Sequence, residues 1–362
     1  MDHVDPVLDP FGVGVRLAVL CALLLVAAAA AAAPTWRLET WATPFDYSSA
    51  SRSVDYEPLS QATRKWSICA SYPHLKDSYW LSVNYGMVQE ATRLGVTLKV
   101  VEAGGYPNLE RQIKQVKSCT DEGADILVVG TVSFEGLTPT IEDIAERIPV
   151  IAVVNDIADL GVSAKVGVSW ISMGRGIGDY MARLHPTGSP PIKVAWFPGP
   201  LGSGWVPFVE EGFRGALEAS SVEIVVTKYG DTGREIQLIL LEEALEERPD
   251  VDYIVGSAVT AEAAVSVLRA RGQLGAIQIL SDYFTHAVYR GIKRRRIEAA
   301  PTDFAVVQGQ LGIELAVRLL EDKLTLKHVG PSIELIDITN VDEVGTEGSL
   351  APASFSPTFV VD

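Results

Sequence analysis

Residues Ser71 to Gly86 read SYPHLKDSYWLSVNYG. They follow Lys65 to Ala70 (KWSICA), a short apolar run of strand-like composition, and lead into Asn84 to Leu94, where apolar residues recur at helical spacing. The aromatics therefore sit at a strand-to-helix turn. In an open parallel sheet, ligands bind outside the carboxyl ends of the strands, so Asp77, Tyr79 and Trp80 are expected to face a crevice. A carboxylate beside two large rings suits a small, greasy cation, attracted both to the ring faces and to the acid. The competing expectation is that Tyr79 and Trp80 only anchor the first helix.

The alternation continues outward from this stretch. Strand-like runs end at Ala70, Val101 (VTLKVV), Gly130 (ADILVVG), Asn155 (PVIAVVN) and Trp170 (KVGVSW), with helical segments such as Leu109 to Glu122 between most of them. A second series comprises Lys193 to Phe197 (KVAWF), Glu223 to Thr227 (EIVVT), Asp252 to Gly256 (DYIVG) and Ile277 to Ser281 (IQILS). It alternates with helices over Phe208 to Ser220 and Glu235 to Arg248. Strand, helix, strand in this order predicts parallel sheets with right-handed crossovers. A chain of 362 residues is too long for one small core, so two similar halves predict two lobes with a small-molecule cleft between them.

Lysine and arginine total 30 against 46 acids, a net charge of −16, which disfavours nucleic acid and anionic membrane surfaces as partners. Leu17 to Ala33 (LAVLCALLLVAAAAAAA) has the pattern of a signal-peptide core, so residues 1–33 are expected to direct export to the periplasm. Asp2, Asp5 and Asp9 precede it with no base before Arg16, which favours a true start near Val13 or Val15. Pro34 hinders cleavage directly after Ala33, so the cut is expected an alanine or more earlier, with retention as an anchor the alternative. Residues 34–62 read as a polar arm and residues 339–362 as a trailing tail, with no membrane insertion of the mature chain.

The histidines His3, His74, His185, His286 and His328 form no H-E-x-x-H, and no G-x-S-x-G, S-x-x-K or P-loop occurs. No enzyme, metal or cofactor is expected. Gly174, Gly176 and Gly178 (GRGIG) read as a helix face packed on the sheet. Lys293 to Arg296 (KRRR) reads as a helix end favoured by its dipole. With Cys21 in the signal segment, Cys69 and Cys119 remain as either a disulfide or two buried thiols.

Beyond SYPHLKDSYWLSVNYG, the chain carries VEAGGY at Val101 to Tyr106, VGVSW at Val166 to Trp170 and FPGP at Phe197 to Pro200. EGFRGAL follows at Glu211 to Leu217, GSAVTAEAA at Gly256 to Ala264 and SDYFTHAVYRGIKRRRI at Ser281 to Ile297. Over roughly Lys65 to Ser332 this pattern resembles the type I periplasmic binding proteins, and within them the branch that detects trimethylamine N-oxide (TMAO) for a sensor histidine kinase.

The resemblance implies a two-lobed α/β fold. Lobe 1 would span residues 63–168 and 283–330, and lobe 2 residues 169–282 and 331–338. It implies an aromatic box of Asp77, Tyr79, Trp80, Tyr106, Trp170 and Tyr283, with ring faces around the three methyls of TMAO and a tyrosine hydroxyl donating to its oxygen. Read alone, a tyrosine after a turn such as Tyr106 is more often a surface plug than a ligand, and hinge packing is a rival explanation for Trp170 and Tyr283. The part played by Asp282 stays open. The implied function is periplasmic sensing of TMAO, relayed to the periplasmic domain of a sensor kinase that controls TMAO respiration. The alternative is a solute-binding protein that delivers a small methylammonium compound or sugar to an ABC transporter.

Overall fold

The computed structural model describes Met1, His3 and residues 35–362, so the expected signal segment lies, apart from those first two residues, outside the described residues. The first lobe opens with β1 (Trp36–Trp41), β2 (Ser51–Tyr56), β3 (Ser67–Tyr72), α1 (Ser78–Leu94), β4 (Thr97–Glu102), α2 (Leu109–Asp121) and β5 (Ile126–Val129). It continues with α3 (Thr138–Ala145), β6 (Val150–Val153) and β7 (Ala164–Val166). The second lobe holds α4 (Trp170–Leu184), β8 (Ile192–Gly199), α5 (Val206–Leu217), β9 (Val222–Tyr229) and α6 (Arg234–Glu247). To these it adds β10 (Tyr253–Gly256), α7 (Ala258–Ala270), β11 (Gln278–Ser281), α8 (His286–Lys293) and β12 (Ala299–Thr302). The chain ends with α9 (Ala305–Leu320), β13 (His328–Pro331), β14 (Glu334–Asp337) and β15 (Val360–Val361).

The larger sheet runs β15-β4-β3-β5-β6-β7-β13-β1-β2, and the second lobe's sheet runs β11-β10-β8-β9. All pairings from β4 through β13 are parallel, while β15, β1 and β2 add antiparallel edges. Covered on both faces, the inner strands read as unbroken apolar runs, ILVV in β5 and VIAV in β6, with every residue buried. Among the described residues no helix is long and apolar enough to cross a membrane.

Local capping decides where the cleft-facing residues stand. α1 begins at Ser78, ahead of the expected Asn84, because the Asp77 carboxylate accepts the Tyr79 N–H, and it closes on Gly95 at φ 74°. Tyr79 and Trp80 therefore occupy its first turn. Likewise β7 stops at Val166, and Ser169 caps α4 by accepting the Ser172 N–H, so Trp170 opens a helix instead of ending a strand. Of the GRGIG glycines, Gly174 and Gly178 face a helix and not the sheet, while a Cβ on Gly176 would meet nothing within 4 Å. A Cβ on Gly174 would lie 1.9 Å from the Val209 carbonyl oxygen of α5, and one on Gly178 would lie 2.5 Å from Ala216 Cβ.

Three other stretches depart from expectation. The polar arm forms the β1–β2 hairpin, which pairs with β13 far along the chain. The tail packs back on the body of the protein: Val341, Leu350 and Ala351 are buried, and in the first lobe β15 pairs with β4 and Asn84 binds the Thr358 backbone through both ends of its amide. The return to the first lobe comes after Thr302 and not at Tyr283. α8 packs on α7 and β12 lies beside β11, whereas α9 packs on α1. β14 pairs antiparallel with β12.

Candidate functional site

Strand ends and helix starts from both lobes converge on one small cavity. Its walls are Asp77, Tyr79, Trp80, Tyr106, Asn155, Trp170, Trp205, Thr232 and Tyr283. All six residues expected from the sequence are among them. Asn155, Trp205 and Thr232 are additions. Asn155 ends a run whose strand character was legible, and Trp205 stands in the loop after FPGP, so the strand-end rule applied to every loop would have raised both.

The lobes are closed on each other. Tyr283 of the second lobe donates to Asp77 Oδ2 of the first at 2.5 Å, and His74 Nε2 lies 2.9 Å from the Thr232 hydroxyl. The Asp156 and Phe134 N–H groups donate to the carbonyls of Gly204 and Gly202, at 2.9 and 3.1 Å. The space open to the centre of a water molecule inside the cavity is about 20 Å³. Adding the radius of water gives a chamber about 3 Å in radius. That suits a trimethylated nitrogen and is small for a pentose.

Aromatic rings supply most of the chamber's walls. Tyr79 and Tyr283 meet edge to face with centroids 5.4 Å apart, Trp205 meets Tyr283 at 5.9 Å, and Trp170 lies 5.4 Å from Trp205. Trp80 has one face on Tyr72, with centroids 5.5 Å apart. A box of ring faces attracts a positive centre and excludes water from it.

Hydrogen-bond bookkeeping then separates the hydroxyls. Tyr79 donates to Asp303 Oδ2 at 2.6 Å, and Tyr283 donates to Asp77, so both phenolic protons are committed to carboxylates. Tyr106 instead accepts from Asn155 Nδ2 at 3.1 Å, which leaves its own proton free among the described residues. The donor expected from the tyrosines as a group thus narrows to Tyr106.

Three buried acids surround the box. Burial is the main cause that pushes Asp77 up to about 6, opposed by the bonds from Tyr283 and the Tyr79 N–H. Burial likewise pushes Asp303 up to about 6, opposed by Tyr79 and Gln308. Asp282, the residue left open by the sequence, stands behind the wall, fully buried, and neither carboxyl oxygen is hydrogen-bonded among the described residues. Burial pushes it well above the ordinary carboxylate range, and the Asp77 carboxylate nearby pushes it the same way. Among the described residues no three His, Cys, Asp or Glu side chains are grouped to hold a metal ion. Away from the site, Cys69 and Cys119 are bonded, with Cα atoms 6.0 Å apart.

A family model described as a periplasmic binding protein domain matches residues 68–324. Periplasmic protein TorT of Escherichia coli K12 is 40% identical over 301 residues, which covers 83% of this chain and 86% of TorT. The ribose import binding protein RbsB of Salmonella typhimurium is 23% identical over 273 residues, covering 74% of this chain and 90% of RbsB. Among solved structures, an ABC transporter solute-binding protein from Bradyrhizobium sp. BTAi1 with bound bis-tris superimposes with a TM-score of 0.76. It is 44% identical, with coverage of 90% of this chain and 98% of that one. The TorS sensor domain–TorT complex in the presence of TMAO gives 0.74 at 39% identity, covering 82% of this chain and all of the matched one.

Proposed function

The chain belongs to the periplasmic binding protein family, and from that premise we propose that it binds TMAO in the closed cleft and reports it to the periplasmic domain of a sensor histidine kinase controlling TMAO respiration. The observation that carries the reading is the closed aromatic chamber, sized for a trimethylated nitrogen and joined across the lobes by Asp77 and Tyr283. Asp77, Tyr79, Trp80, Tyr106, Trp170 and Tyr283 form the binding set, with Tyr106 donating to the oxide oxygen. The likeness to TorT, solved with the TorS sensor domain, supports the choice of ligand and partner. Residues 1–33 serve as the export segment, and the protein works by closing around its ligand, without catalysis.

A ligand shifts a lobe equilibrium only through its differential affinity for the closed form, and a five-heavy-atom molecule supplies a modest bias. A kinase domain that touches both lobes adds contacts of its own, so partner and ligand tighten each other's binding reciprocally. The test is a calorimetric titration of TMAO with and without the kinase ectodomain. Tighter binding in its presence supports the adaptor; identical affinities reject it. The likeness to the Bradyrhizobium ABC transporter solute-binding protein favours a second reading, delivery of a small methylammonium compound to a permease. Tight TMAO binding that no kinase domain alters would support that reading instead.

A further inference from the structure

Trp205 stands directly before α5 in the second lobe, 2% exposed, with its ring against Trp170 and Tyr283. Its indole N–H has no hydrogen-bond partner among the described residues. Buried polar hydrogens are almost always bonded, so one left over in a cavity wall is poised for something inside the cavity. The other polar hydrogens nearby are mostly spoken for. Trp170 Nε1 donates to the Val154 carbonyl at 3.2 Å, and the phenols of Tyr79 and Tyr283 are held by Asp303 and Asp77. Tyr106 keeps its own proton among the described residues, and the Trp80 indole of the first lobe and the Trp205 indole of the second both lie near enough to help oppose the burial-driven rise of that phenol, neither with hydrogen-bonding geometry. Uncommitted donors from both lobes, Tyr106 and Trp80 from the first and Trp205 from the second, therefore line the same chamber.

Resting on the reading of the cavity as a site for a methylated nitrogen, we propose that Trp205 is the specificity-determining donor that selects ligands carrying an anionic oxygen on that nitrogen. The oxygen is held between Tyr106 Oη of the first lobe and Trp205 Nε1 of the second. A ligand with this oxygen gains a bond that exists only when the lobes are shut, whereas an oxygen-free cation of the same shape does not. Trp205 thereby couples recognition of the oxide to closure.

The test compares TMAO with tetramethylammonium, which replaces the oxygen by a methyl. Trp205→Phe keeps the ring and deletes the N–H, and calorimetry should show a loss of affinity at least about tenfold greater for TMAO than for tetramethylammonium. Equal losses overturn the proposal and reduce Trp205 to a packing surface. Because the residue is buried, the wild-type protein provides a second readout. The Trp205 indole N–H resonance should move downfield with TMAO and not with tetramethylammonium, and an unmoved resonance overturns the proposal without any variant. Wild-type protein that binds tetramethylammonium but not TMAO overturns the role of Trp205 while the methylated-nitrogen reading stands. Binding of neither overturns both.

Discussion

Tyr283 donates its phenolic proton to Asp77 at 2.5 Å, and the two residues come from different lobes. Asp77 meanwhile caps the helix that carries Tyr79 and Trp80. One carboxylate therefore orients the aromatic wall of the first lobe and latches the second lobe onto it. Removing the phenol should loosen closure without disturbing the cap.

Tyr283→Phe retains the ring and loses the latch. A hydrogen bond to a charged group contributes roughly 1.5 to 3 kcal/mol, so TMAO affinity should fall at least about tenfold. Circular dichroism and thermal melting should stay close to wild type. A titration with unchanged affinity would show that the bond is incidental to closure.

The buried acids make the protein sensitive to pH in a defined window. Asp77 and Asp303 each stand near 6 in the folded chain, above the ordinary 3.8, so the folded state holds their protons more tightly. Their stabilising effect is complete below about pH 4 and is lost as pH rises through about 6, on the order of 2 to 3 kcal/mol for each acid. Asp77→Asn and Asp303→Asn should each flatten urea-unfolding stability across that window. Ligand binding runs the other way, because a positive nitrogen favours ionised Asp77. TMAO affinity should fall about tenfold from pH 7 to pH 5, and Asp77→Asn should remove most of that dependence.

Trp80 serves the core and the cavity together. Its ring stacks on Tyr72, and a Cβ on Gly130 would lie 2.4 Å from it. Trp80→Ala should cost about 3 to 5 kcal/mol of folding stability. It should also remove about 2 kcal/mol of ligand binding, close to thirtyfold. Chemical unfolding and calorimetry on the same variant separate the two; lost stability with unaltered affinity would assign the residue to the core alone.

The Cys69–Cys119 bond ties β3 to α2 across 50 residues of sequence. In the chain-entropy account such a loop closure is worth roughly 4 kcal/mol. Dithiothreitol, or the double change Cys69→Ala and Cys119→Ala, should lower the melting temperature by several degrees. An identical melting curve with and without reductant would show that the bond adds nothing to stability.

The order of elements was legible because its signals are local. Apolar runs such as ILVV and helical spacing over Leu109 to Asp121 depend only on neighbouring residues, and strand ends in a parallel sheet point to the cleft whatever the rest of the chain does. That is why Asp77, Tyr79 and Trp80 could be placed at a crevice from local pattern, whereas Tyr106, Trp170 and Tyr283 joined them only through the family resemblance. The hairpin of residues 36–56 and the terminal strand β15 were missed because their pairing partners, β13 and β4, are remote in sequence. The same remoteness hid Asp303 behind Tyr79 and the free N–H of Trp205. Residue type and spacing determined that aromatic rings would crowd one cleft. Which hydroxyls are committed, which donor is left over and which acids are forced toward neutrality were decided only when the two lobes met, because hydrogen bonding and desolvation depend on what is brought near in space.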